Sequence, residues 1–187
     1  DSYCIQFDAP FLVVQGEFRG DTSPTPVYCG LKRGDKKIFK ADDAEYPRIS
    51  DHLGRFPVVM ISPGDHVLLH GGSEVRRKMM DAVIAQSDRA YLEALQGYQR
   101  ALKQRNALLK QGGNAHALDA WDHELAEAGE PLTTRRQHYL ERLQDRATAL
   151  AQVLAPNLGI QSMTLSPGWR KQEVSLSDAL LLARERD

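Results

Sequence analysis

Between Gly72 and Gln111 the chain carries forty residues with helical apolar periodicity and one short break, and this stretch limits the folds available more than any other. Val75, Met79, Met80, Val83 and Ile84 recur at helical spacing, so a first helix carries one apolar stripe. Ser73 is the expected N-cap of that helix, its hydroxyl accepting from first-turn N–H groups. Ser87-Asp88 is the break, and Asp88 is placed to cap a second, longer helix. There Tyr91, Leu95, Tyr98, Leu102 and Leu109 follow one another in steps of three and four or their sum, the seam of a coiled-coil-like helix. Arg105 interrupts the seam, so the packing partner at that level must be polar or that end must be open. Arg76 and Arg77 lie in the first turn of the first helix, where the helix dipole disfavours cations. Such a pair is expected to face an anion or a carboxylate elsewhere.

The seam resumes after Gln111-Gly112-Gly113-Asn114. Leu118, Trp121, Leu125 and Ala128 carry it to Gly129 and Pro131, where the helix should be interrupted or kinked. Tyr139 or Leu140, Leu143, Ala147, Leu150 and Leu154 take it on to Pro156. Residues 89–154 therefore read as a helical hairpin, an arm with no strand in it. Strand-forming segments bracket this arm. Phe11–Phe18, Val27–Leu31 and Lys36–Lys40, with a turn at Arg33-Gly34-Asp35, read as an antiparallel meander. A short helix runs from Pro47 to Gly54. Phe56–Ile61 is a compact apolar run and the candidate for a central, buried strand, closed by the turn Ser62-Pro63-Gly64-Asp65. Asp65–His70 reads as a helical turn. Ile160–Leu165 reads as a strand, and Ser175 with Asp178 opens a last helix. The fold class is α+β, and a helical hairpin inserted between two halves of an α/β core is the plan of ATPase heads of the structural-maintenance type.

Composition excludes several functions. The 187 residues have a net charge of −1, so nucleic-acid binding would have to come from a local patch. No apolar run approaches the ~20 residues of a spanning helix, and no signal-peptide pattern is present. Cys4 and Cys29 are too few for a disulfide framework, which makes a cytoplasmic setting the expectation. The chain starts at Asp1 close to a strand pattern and stops at Arg186-Asp187 in a helical one. The expectation is an interior piece of a longer protein.

Four runs carry a resemblance: HLGRFPVVMISPGDHVLLHGGSEVRRKMMDAVIAQSDRAYLEAL, YQRALKQRNALLK, WDHELAEAGEPL, and LSPGW followed by a helix. In these the chain resembles the RecF family, bacterial DNA replication and repair proteins with an ABC-type ATPase head. The resemblance covers nearly the whole chain. It implies a partial head in residues 1–88, a helical arm in 89–155, and a return to the head in 156–187. It also implies ATP and Mg in the parent protein, a homodimer closed by ATP, recognition of double-stranded DNA or its junction with single strands, and recombinase loading with RecR. A phosphate-binding loop of the form GxxxxGKS or GxxxxGKT does not occur in these residues. The family's signature loop and acidic Walker B strand are absent as well. The parent is expected to be a weak ATPase and this segment alone inactive, with no ATP or Mg bound. The other reading is a non-enzymatic helical-arm interaction module that uses no nucleotide.

By resemblance Ser62, Pro63 and Asp65 lie near nucleotide, at the end of the apolar run where open α/β sheets place ligands. Gly64 stands where the family more often has an acidic residue, so no metal or water role carries over to it. The alternative is a plain strand-to-helix turn with Asp65 as N-cap. Lys32, Arg33, Lys36, Lys37 and Lys40 form a basic hairpin that either contacts phosphate or protects a sheet edge with lysine. Arg76 and Arg77 are further DNA or phosphate candidates, and a structural ion pair is the competing role for one of them. His66 and His70 have i, i+4 spacing but no third ligand, and read as ordinary surface histidines. Trp121 reads as core.

Overall fold

The structure is a computed structural model, and it describes residues 2–20, 23–112, 114–157, 159, 162–170 and 173–184. The chain divides into two compact units, Asp1–Ser62 and Pro63–Asp187.

The first unit is a four-stranded antiparallel meander of β1 (Phe11–Phe18), β2 (Thr25–Lys32), β3 (Ile38–Ala41) and β4 (Ala44–Glu45) in sequential order. β1 and β2 pair over their full length, from Phe11 opposite Lys32 to Phe18 opposite Thr25. Gly34, at φ 80°, turns the chain between β2 and β3. The return strand starts at Ile38, because Lys36 and Lys37 are still in the turn. Asp42 and Asp43, both at positive φ (53° and 62°), make the tight turn into β4. Two central residues with positive φ match the twist of the flanking strands. His52 is surrounded by aromatic rings, with centroids 5.2 Å from Phe39, 5.3 Å from Tyr46 and 5.6 Å from Phe56, and Phe56 stacks on Phe18 at 4.2 Å. Arg55 holds the rim, donating to Tyr46 Oη at 3.1 Å and to Asp42 at 2.6 Å.

Two expected strands do not form among the described residues. Past Phe56, the run to Ile61 enters no ladder, and Val59, Met60 and Ile61 are 82–86% exposed. An apolar run becomes a central strand only where neighbouring strands take its N–H and C=O groups, and no described strand does so. Residues 162–165 are likewise outside any ladder, and Ile160 and Gln161 lie outside the described residues. The segment is tied instead to a helix, with the Met163 N–H donating to Gln144 Oε1 at 2.9 Å.

The second unit is helical. A 3-10 turn at Pro63–His66 runs into α1 (Val67–His70), followed by α2 (Ser73–Ser87), α3 (Arg89–Lys110), α4 (Ala115–Leu154) and α5 (Leu176–Ala183). The break falls at Asp88, whose carboxylate accepts from the Tyr91 N–H at 2.9 Å. Asn114 caps α4 in the same way, accepting from Ala117 at 2.8 Å, and Ser175 caps α5 through the Asp178 N–H at 3.1 Å. The N-cap of α2 is Gly72 rather than Ser73, and it makes no side-chain cap bond. Ser73 lies one residue inside the helix, where its hydroxyl accepts from Arg77 at 2.9 Å.

α3 and α4 are antiparallel. Tyr91 at the start of α3 meets Arg136 of α4, and Arg105 near its end meets Asp122. Met80, Ile84, Ala85, Tyr91, Leu92 and Leu132 form the buried cluster where α2, α3 and α4 converge. α4 continues through Gly129 and Pro131 without interruption for 40 residues. Proline removes one helical donor and crowds the carbonyl four residues back, but packing on buried Ala126, Leu132 and Thr133 holds the helix through that point. At Gly129 side chains of α5 and α3 both press on α4, since a Cβ there would lie 2.6 Å from Leu176 Cδ2 and 3.1 Å from the Tyr98 ring. Glu130 next to it accepts from the Leu176 N–H at 3.0 Å, at the start of α5. The seam ends before the helix does, because Leu150 and Leu154 are exposed. The expected ending at Arg186-Asp187 lies outside the described residues.

Arg105, the residue out of pattern in the seam, is 4% exposed and donates to Asp122 at 2.6 Å. Asp122 also receives Arg184, the residue that follows α5, at 2.6 Å, and Arg184 reaches Asp119 at 2.7 Å. Removing one partner of a buried ion pair strands the other charge and typically costs about 3–5 kcal/mol, whereas replacing the pair with apolar groups is often neutral. Asp122→Ala should therefore lower unfolding stability by roughly that amount in urea titrations. Adding Arg105→Leu to Asp122→Leu should recover a substantial part of the loss. A double variant as unstable as Asp122→Ala would place the destabilisation elsewhere.

Candidate functional site

Sequence reasoning proposed three groups of residues, and the structure places them in two separate units. Lys32, Arg33, Lys36 and Lys37 lie on the β2–β3 hairpin of the first unit. Lys32 is bound to Asp35 at 2.9 Å, and that hydrogen bond raises its pKa above the ordinary value. Arg33 reaches the Ile5 carbonyl at 3.4 Å. Lys36 is exposed and Lys37 half-buried. Lys40 sits over the Tyr28 ring, 5.6 Å from its centroid. The hairpin therefore presents basic charge at its tip, reduced by Asp35.

Ser62 ends the first unit, and Pro63 and Asp65 begin the second within the 3-10 turn. His66 Nδ1 is 2.8 Å from the Pro63 carbonyl, which can only accept, so the proton is on Nδ1. This bond closes the turn and feeds it into α1. Among the described residues, no three His, Cys, Asp or Glu side chains gather as a metal site would require.

Among the described residues, Arg76 and Arg77 do not face a carboxylate at hydrogen-bond distance. Arg76 donates to the Leu68 carbonyl at 3.1 Å and to Gly71 at 2.8 Å. It thereby satisfies carbonyls at the end of α1, a common use of a cation near a helix C-terminus. Gly71 is tightly enclosed there, since a Cβ would lie 2.4 Å from the Val67 carbonyl oxygen. Arg77 is half-buried and donates to Ser73 Oγ.

The charge cluster that sequence reasoning missed lies between α2 and α4. Arg136 grips both carboxylate oxygens of Asp81 at 2.8 Å, and the Tyr91 hydroxyl donates to the same carboxylate at 2.5 Å. Asp81 and Arg136 side chains are each 15% exposed, so water screens the pair weakly. Burial, reinforced by the hydrogen bond to Asp81, pushes the Tyr91 hydroxyl well above its ordinary value. The only hint in the sequence was Tyr91 at the head of a seam, which fixes the ring but not the partner of its hydroxyl.

A raised tyrosine pKa has a defined sign. The unfolded chain releases this proton near the ordinary value of 10.0 while the folded chain keeps it. The stability from Tyr91 is complete below that pH and is lost as pH rises through and beyond it. Unfolding titrations from pH 8 upward should show a steeper alkaline loss for the native chain than for Tyr91→Phe. Identical slopes would show that the hydroxyl does not stay protonated in the fold.

No family model matches the chain. A DNA replication and repair protein RecF from Stenotrophomonas maltophilia (strain R551-3) is 57% identical over 172 residues, covering 91% of this chain and 47% of that relative. RecF from Xanthomonas euvesicatoria pv. vesicatoria (strain 85-10) is 50% identical over 181 residues, 96% of this chain and 49% of that relative. RecF from Bacteroides thetaiotaomicron is 38% identical over 190 residues, 100% of this chain and 51% of that relative. The fold is similar to the recombination mediator protein RecF-ATPrS of the RecFOR pathway, with a TM-score of 0.84 and 27% identity over 99% of this chain and 51% of that one. It is also similar to RecF-ATP, with a TM-score of 0.81 and 25% identity over 99% of this chain and 54% of that one. The chain spans about half the length of the curated relatives it matches. With an α+β plan, an antiparallel helical hairpin and these relatives, the chain belongs to the RecF family.

Proposed function

We propose that this chain is the arm-bearing segment of an ATP-dependent DNA-binding protein of recombinational repair and replication. The observation that carries the reading is the 57% identity to a DNA replication and repair protein RecF, sustained over 172 residues. The nucleotide chemistry belongs to the whole protein, because these 187 residues hold no phosphate-binding loop. ATP and Mg bind in the parent's head, and two parent molecules close around the nucleotide. The segment alone takes neither and hydrolyses nothing. Residues 1–88 and 156–187 belong to the head, residues 89–155 are the arm, and the setting is cytoplasmic. Ser62, Pro63 and Asp65 approach the nucleotide. Lys32, Arg33, Lys36, Lys37, Arg76 and Arg77 are the residues from which DNA or phosphate contacts come, and the arm offers a surface to RecR.

The local bonding of each candidate ranks them for DNA. Lys32 is compensated by Asp35 and Arg76 is committed to α1 carbonyls, so the exposed tip residues Arg33 and Lys36 carry the larger share. In the parent protein, changing these two to glutamine should weaken binding to duplex DNA or to a gap junction. The salt slope should fall by roughly 0.9 for each phosphate no longer neutralised. ATP binding should be unchanged. An unaltered salt slope would remove the hairpin from the DNA interface.

One observation favours a second reading, a helical-arm interaction module without nucleotide. The net charge is −1 and Asp35 offsets the basic hairpin, so the long-range field for DNA is weak. Deleting residues 89–155 from the parent separates the two. The proposed function expects ATP binding to persist while DNA or RecR affinity falls. The module reading expects loss of a protein partner alone, with DNA affinity untouched. Unchanged affinity for both DNA and RecR would sink the arm's role in either.

A further inference from the structure

The distal half of α3 carries cations that no described residue neutralises. Residues 94–118 contain no Asp or Glu, and Arg100, Lys103, Arg105 and Lys110 fall within them. Arg105 is buried on Asp122. Arg100, Lys103 and Lys110 are exposed, and among the described residues none of the three has a carboxylate at ion-pair distance. Other exposed cations on α2 and α3 differ in this respect. Lys78 pairs with Glu74 at 2.7 Å and Arg89 with Glu93 at 3.1 Å, each across one helical turn. Within α3, the positions four residues from Arg100, Lys103 and Lys110 hold Gln96, Gln104, Gln99, Ala107 and Asn106 instead. On α4, Asp119 and Asp122 are taken by Arg184 and Arg105, and Glu124 pairs with none of the three. Lys110, in the last turn, suits the helix dipole, but that field does not extend back to Arg100 or Lys103.

Gln99, Leu102, Lys103, Asn106, Ala107 and Lys110 line an open depression of 490 Å³. Their spacing in steps of one, three and four puts them on one side of the helix, and Arg100 joins Lys103 and Lys110 through the same periodicity. Leu102 and Ala107 are half-buried, whereas Gln99, Lys103, Asn106 and Lys110 are exposed. From Gln99 to Lys110 the stripe runs about 16 Å along the helix axis. Its donors are strung out rather than gathered about one point, which fits an extended polyanion and not a small anion. Lysine, arginine and side-chain amides are the groups that hold nucleic-acid phosphates. The stripe has no aromatic ring on which an unpaired base would stack. Among its described residues α3 also has no exposed large apolar side chain to seed the core of a protein interface.

We propose that Arg100, Lys103 and Lys110, with Gln99 and Asn106 beside them, bind the phosphate backbone of duplex DNA and give the arm a contact of its own in addition to the β2–β3 hairpin. This surface rests on the proposed DNA-binding function and assigns part of it to one face of α3.

The test uses the parent protein with ATP and duplex DNA over a series of salt concentrations. Changing Lys103→Gln and Lys110→Gln together should lower the salt slope by roughly 1.8, about 0.9 for each phosphate no longer neutralised, and adding Arg100→Gln should bring the loss to roughly 2.7. Glutamine is a good helix former, so substitution at these exposed positions keeps α3 intact. Binding of ATP and of RecR should be unchanged. Lys78→Gln, at a cation already paired with Glu74, should leave the slope as it is. A native slope in the triple variant would overturn the proposal, and so would an equal fall in Lys78→Gln. Loss of RecR affinity with duplex affinity intact would also overturn it, assigning the stripe to a protein contact. Absence of any salt-dependent duplex binding by the native parent is a separate outcome, which would sink the DNA-binding function itself and the proposal with it.

Discussion

The helical unit depends on a buried ion pair that an apolar seam would not have needed. Arg105 and Asp122 are 4% and 3% exposed, and each leaves water at a large desolvation cost. That cost is offset only if their geometry is held, so the pair is sensitive to the register of α3 on α4. A slide of one turn would bury both charges unpaired. Apolar seams tolerate such slides because leucine can replace leucine. The same Asp122 carboxylate binds Arg184, so the placement of α5 is linked to the α3–α4 register. At the opposite end of α3, Asp81, Tyr91 and Arg136 repeat the arrangement and bring in α2. The two polar clusters specify a register, and the apolar cluster around Leu132 supplies the burial between helices.

Between these clusters, α4 contains the residues least suited to a helix. Gly129 lacks a side chain because Leu176 and Tyr98 occupy the space a Cβ would need. Pro131 removes a donor one turn from the N-terminus of α5. Thr133 and Thr134 return hydroxyl bonds to the carbonyls of Gly129 and Glu130, at 3.0 and 3.1 Å. Glu130 uses its carboxylate to cap α5. A helix that must admit a close neighbour gives up local propensity for that approach, and tertiary packing restores the balance. Gly129 and Thr133 also line a recess beside Trp169, so the close approach of α5 shapes that cavity.

What the sequence disclosed follows from how local each interaction is. The α2–α3 break, the Asp88 cap and the Ser175 cap each involve partners within three residues, and all were legible. Arg105 was legible in a weaker sense. Its place in a seam required a polar partner, but spacing did not identify Asp122, 17 residues away across the hairpin. The Asp81–Arg136 pair, 55 residues apart, left no periodic trace at all. The protein partners of Arg76 and Arg77 were not legible for a related reason. Their position in the first turn suggested an anion, whereas Arg76 meets the carbonyls that end α1 and Arg77 a neutral hydroxyl of its own helix. Of the candidate site residues, the sequence located the basic turn and its exposed tip. It did not show that Asp35 would reduce the charge there, since a lysine three residues before an aspartate pairs with it only when the turn folds back.

The expected central strand shows the same rule from the other side. A helix satisfies its own backbone, so the arm's apolar pattern suffices to form it. A strand's backbone groups are satisfied by whatever lies beside it, and an apolar run states only that burial would be favourable. Val59, Met60 and Ile61 have the composition of a buried strand, yet all three stand exposed and outside any ladder. Phe56, a few residues earlier, is ordered because Phe18 and His52 offer a surface within the same unit. The difference lies in the presence of a neighbouring surface, not in the hydrophobicity of the residue. The apolar run therefore states a preference for burial without supplying the neighbour that would satisfy its backbone, while the α3–α4 hairpin carries its own hydrogen bonds.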